Sequence, residues 1–123
     1  MTQVYEEIYE ENLERVERAE EGSILYRFIE ECARILQIKD PSHSNEENWY
    51  DAQKSIAARA SRFWDGQAFS VESGMSSWMD GVARMYNNIY HNGVEGNCQR
   101  AIEQISVEIV NEGVPVGRDM HRK

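Results

Sequence analysis

Along five separate stretches of this chain, apolar residues recur at steps of three and four. That spacing leaves little choice of architecture, because an α-helix brings positions three and four apart onto one side. The first stretch, Val4 to Glu21, places Tyr5, Ile8, Tyr9, Leu13 and Val16 on one side. Glu6, Glu7, Glu10, Glu11, Glu14 and Glu17 occupy the rest of the circumference. Gly22 interrupts the pattern, and Ser23 is placed to cap a second helix, Ile24 to Ile38. Leu25, Phe28, Ile29, Cys32, Ala33 and Leu36 make a wider apolar stripe there, so the second helix is expected to be the more buried of the two.

Pro41 lacks a backbone donor and restricts Asp40, which breaks the chain between Lys39 and His43. Ser44 with Glu47 three residues later has the form of a capping box. It predicts a third helix running to about Asp65, with Trp49, Ala52, Ile56, Ala60, Phe63 and Trp64 inward and Gly66 as its stop. Gln67 to Gly74 reads as a loop, in which Ala68-Phe69-Ser70-Val71 suits a short extended crossing. A fourth helix, Met75 to His91, ends at Asn92-Gly93, a pair suited to a left-handed stop. Asn97 caps a fifth through Glu112, with Ala101, Ile102, Ile105, Ile109 and Val110 inward, Val107 off that face and Gly113 closing it. Val114 to Lys123 has no helical period. The expected fold is therefore all-α: a compact bundle of about five helices, mostly with antiparallel neighbours, formed by residues 1–113 as a single domain and followed by an irregular basic tail, 114–123.

The charge is lopsided. Residues 1–31 carry ten acids and three bases, residues 32–66 five of each, residues 67–113 six acids and two bases, and the tail one acid and three bases, for a formal net charge of −9. Such a balance argues against coating nucleic-acid phosphates, which takes Lys and Arg to displace counterions, and against anionic membranes. No apolar run approaches the length of a membrane span, and the first residues do not resemble a signal peptide. The two cysteines, Cys32 and Cys98, fall in helical stretches and read as small apolar residues rather than a disulfide, so a reducing cytoplasm is the expected compartment.

The Glu comb of the first helix is the most unusual feature. As a solvated face it is partly balanced by Arg15 and Arg18, and acids near a helix N-terminus are favoured by the helix dipole. As a binding face, Glu6, Glu7, Glu10, Glu11 and Glu14 would meet a basic partner or imitate DNA phosphates. As half of a magnesium site, Glu6-Glu7-x-x-Glu10 would need carboxylates from another helix, since hard cations take several oxygens. That spacing resembles the Glu-rich motif of all-α nucleotide pyrophosphohydrolases of the MazG and dimeric dUTPase kind, and Phe28-Ile29-Glu30-Glu31-Cys32-Ala33 is slightly similar to it. The resemblance implies a further Glu-x-x-Asp motif on a later helix, where this chain supplies only Asp80.

Other chemistry is poorly represented. His43, His91 and His121 are not spaced as metal pairs, no C-x-x-C occurs, Gly74-Met75-Ser76-Ser77-Trp78 lacks the closing glycine of a nucleophile elbow, and no phosphate-cradling glycine loop is present. No metal or cofactor is therefore expected. Met75, Trp78, Met79, Met85, Tyr86 and Tyr90 suit either an irregular core or an adaptable surface, and as a surface they form a candidate oligomer face. The leading expectation is a non-enzymatic, acidic protein-binding protein, an inhibitor of a nucleic-acid-handling protein in the manner of a phage antagonist or partial DNA mimic, possible also as a homodimer. The alternatives are a self-assembling helical subunit, a magnesium-dependent pyrophosphohydrolase, and a small-ligand sponge using Trp49, Trp64, Tyr86 and Arg84.

Overall fold

A computed structural model describes residues 2–63, 70–91 and 95–112, with side chains for 7–62, 70–89, 91 and 96–112. Several sequence expectations lie outside these: Trp64, the Gly66 stop, Gln67 to Phe69, the Asn92-Gly93 stop, Gly113, the tail 114–123 with His121, and the side chains of Tyr5, Glu6, Phe63 and Tyr90. Five α-helices follow in order: α1 (Thr2–Glu17), α2 (Ile24–Lys39), α3 (Asn45–Phe63), α4 (Val71–Tyr90) and α5 (Cys98–Glu112), the last preceded by a 3₁₀ turn, Glu95–Asn97. Among the described residues, no helix is long and apolar enough to cross a membrane.

The caps explain most of the boundaries. The Ser23 hydroxyl accepts the Tyr26 N–H at 3.2 Å and starts α2. Ser44 and Glu47 form the reciprocal box in full: the Glu47 N–H donates to the Ser44 hydroxyl at 3.1 Å, and the Ser44 N–H donates to the Glu47 carboxylate at 2.8 Å. The bond from the Ser44 N–H holds the Glu47 carboxyl below the usual carboxylate range.

The bounds of α1 and α4 differ most from the sequence reading. α1 ends at Glu17 rather than Glu21, because continuing it would add Glu20 and Glu21 to a helix C-terminus, where the dipole disfavours anions. The chain turns instead through Gly22 at φ +90°, a conformation that glycine adopts without strain. α4 begins four residues early: Ser70 is its cap, accepting the Ser73 N–H at 3.1 Å, so Val71 to Gly74 form its first turn rather than a loop. Its C-cap is His91, in the left-handed region at φ 59°, one residue before the predicted stop.

One core joins the helices. Its largest fully buried side chains include Phe28 and Ile29 from α2, Ile56 from α3, Met75 from α4, and Ile102, Ile105 and Ile109 from α5. α3 lies at the centre, packed against all four other helices. It has small buried residues, Ala52, Ser55, Ala57, Ala58, Ala60 and Ser61, that let neighbouring axes approach closely. α2 and α5 are not consecutive, and they run side by side in the same direction: Arg27 meets Gln99 at one end, and Lys39 meets Asn111 at the other. The end of α5 is tied to α3, where Glu112 accepts from Arg59 and, at 2.9 Å, from Arg62. The Arg59 guanidinium also lies 4.0 Å from the centre of the Trp78 ring of α4.

The methionine-rich face of α4 is corrected here. Met75 is fully buried and Met79 9% exposed, so both belong to this chain's own core. Trp78 is half-buried under Arg59, and Tyr86 is half-buried beside α5. Met85 alone of the described members is strongly exposed, at 56%. The period of a single helix shows a wide apolar stripe, and the positions of α3 and α5 decide which part of it is covered.

Candidate functional site

α1 is fastened by a narrow strip. Tyr9, Asn12 and Val16 are buried and Leu13 is partly so, with α3 as the main support and α4 as a lesser one. Asn12 is the member that hydrophobic periodicity missed: its amide donates to the Ser61 hydroxyl at 3.0 Å, and that hydroxyl donates to the Ala57 carbonyl at 2.8 Å. Every buried polar group in this small network that carries α1 onto α3 thus finds a partner.

Opposite the strip stand the acids. A helix turns about 100° per residue, which places Glu7, Glu10, Glu11, Glu14 and Glu17 within an arc of about 120° facing away from Tyr9, Asn12 and Val16. All five are exposed, and with Leu13 they line one open, shallow concavity. Of the residues predicted as contacts, the structure therefore brings Glu7, Glu10, Glu11 and Glu14 together and adds Glu17. Glu6 lies outside the described side chains.

The neutralising role expected of Arg15 is not what the fold gives it. Its guanidinium turns away from the comb and meets Glu72 of α4 at 3.1 Å. Only Arg18 remains with the comb, 3.7 Å from Glu14. Among the described residues, Glu7, Glu10, Glu11 and Glu17 form no ion pair, and water and salt screen their repulsion.

The carboxylates that would complete a metal site are engaged elsewhere. Glu31 is buried and paired with Arg34, Glu30 is exposed, and Asp80 is bonded to Arg84 at 2.9 Å. Among the described residues, no three His, Cys, Asp or Glu side chains gather as a metal ion would require. His43 lies 3.4 Å from Asp40 in an exposed turn, and His91 caps α4. Of the residues named for a small-ligand pocket, Trp49 packs on Tyr26, with ring centres 5.1 Å apart, Arg84 pairs with Asp80, Tyr86 reaches Gln104 of α5, and Trp64 lies outside the described residues.

Neither cysteine is in a disulfide. Burial pushes the Cys32 thiol up to about 12, with the nearby Ser106 hydroxyl opposing the shift and the Glu31 charge adding to it. A thiol so placed stays protonated at neutral pH and acts as a core side chain.

Comparison of the chain with protein-family models, with curated proteins and with solved structures gives no match.

Proposed function

We propose that this chain is a non-enzymatic binding protein whose α1 docks its acidic face on a basic surface of another protein. The class of partner that fits is a nucleic-acid-handling protein, whose phosphate-binding surface presents the Lys and Arg that such a face attracts. Occupying that surface would make the chain an inhibitor by exclusion. The observation that carries this reading is the diversion of Arg15 to Glu72: a solvated face would gain from keeping its cation, and among the described residues four carboxylates of the comb have none. Two cysteines outside any disulfide suit a reducing compartment such as the cytoplasm.

The test compares two variants of equal net charge. Glu10→Lys with Glu11→Lys changes the α1 face, and Glu30→Lys with Glu108→Lys changes exposed acids on α2 and α5. Partners captured from the native host by the unmodified chain are measured against both. The α1 variant is expected to lose about tenfold or more in affinity, together with most of the salt dependence, while the other retains both. Equal losses in the two variants would show that overall charge, not this face, does the binding.

A further inference from the structure

The contacts that hold α1 to the rest of the molecule include two polar ones, Asn12 to Ser61 at 3.0 Å and Arg15 to Glu72 at 3.1 Å. When a helix lifts away, water takes the place of such partners, so each contributes only a modest net hold. The apolar part of the contact is narrow: Tyr9 and Val16 are buried and Leu13 partly so, whereas α2 buries Leu25, Phe28, Ile29 and Cys32. What α3 would bare is small and partly polar, since Ser61 keeps its bond to the Ala57 carbonyl without α1. Lifting α1 is therefore far less costly than opening the core around α5.

The outward side of α1 adds a load of its own. Glu7 stands three and four positions from Glu10 and Glu11, and Glu14 stands three or four from Glu10, Glu11 and Glu17, spacings at which like charges repel along a helix. Glu14 and Glu17 also lie in the last turn, where the helix dipole disfavours anions. A helix of sixteen residues is marginal in water even without such a load, so α1 parted from α3 unwinds. α2 does not depend on it: the Ser23 hydroxyl caps α2, and the joint between the two helices is the turn at Gly22.

We infer that α1 opens as a unit, coming away from α3 and α4 and unwinding while α2 to α5 stay folded, and that repulsion among its carboxylates sets how often it does so. The Asn12 amide fits this motion, because it regains partners in water when α1 lifts. The acidic arc exists only in the closed state, so whatever screens or neutralises those charges, dissolved salt included, shifts the chain towards closed. The inference stands without the function proposed for α1.

Native-state hydrogen exchange, read amide by amide by NMR on the whole chain at low and high NaCl, tests it. The amides of α1 are expected to exchange together, about a hundredfold faster than those of α5 after correction for intrinsic rates, and to slow by about threefold at high salt. Glu10→Gln with Glu11→Gln is expected to slow α1 by about twofold at low salt and to flatten its salt response. Ile105→Val separates local from global opening, because Ile105 stays buried while α1 is open. It is expected to speed α5 by about fivefold and to leave α1 unchanged. Equal acceleration of both helices by Ile105→Val would overturn the inference. So would protection that rises steadily from one end of α1, as fraying gives, or α1 rates indifferent to salt and to the Glu changes.

Discussion

α1 and α5 are helices of nearly equal length, sixteen and fifteen residues, held in opposite ways. α5 buries Ala101, Ile102, Ile105, Ser106, Ile109 and Val110 against α2, α3 and α4, so about half of its circumference is committed to the core. α1 buries three described side chains, one of them an asparagine, and leaves its described glutamates exposed. The difference separates two jobs within a small domain: α5 builds the core, and α1 is carried by it.

The largest expected effect lies on the α5 side. Ile105→Ala removes a fully buried side chain from the core and should lower unfolding free energy by about 3 kcal/mol in a urea titration. A loss below about 1 kcal/mol would mean that α5 can collapse onto the cavity and is no firmer than α1. Asn12→Ala is expected to cost about 1 kcal/mol in the same measurement, because it deletes one buried bond while Ser61 keeps its bond to Ala57. A cost matching that of Ile105→Ala would erase the distinction between the two helices. The smallest effect belongs to Glu10→Gln with Glu11→Gln: thermal stability should change by no more than about 0.5 kcal/mol, in either direction, since exposed acids without ion pairs support nothing in the fold. A clear destabilisation would assign these acids a structural role and weaken the binding proposal.

Much of the fold was legible because helix signals are local. The Ser23 cap, the Ser44–Glu47 box and the inward faces of α2 and α5 need only a few neighbouring residues to be read, and the structure reproduces each of them. Ser70 was passed over because Val71 and Gly74 are poor helix formers, and a tertiary role for Val71, buried to 1% exposure, outweighs that propensity. Met75 and Met85 looked alike in sequence and ended on opposite sides of the surface, since the packing of other helices sorted them. The acidic comb was visible as a pattern, but its degree of neutralisation was not. Arg15 and Glu72 are 57 positions apart, and no local rule pairs them.

The Asn12–Ser61 bond has a consequence for what α1 is free to become. Sliding this helix by one turn would strand the Asn12 amide among apolar neighbours, so the bond acts as a key that fits one register. With register held by that key and by Val16, the outward side is relieved of any duty to the fold. Its residues can be exchanged wholesale, for acids, bases or another recognition sequence, and the scaffold behind them would present the new set at the same place and angle.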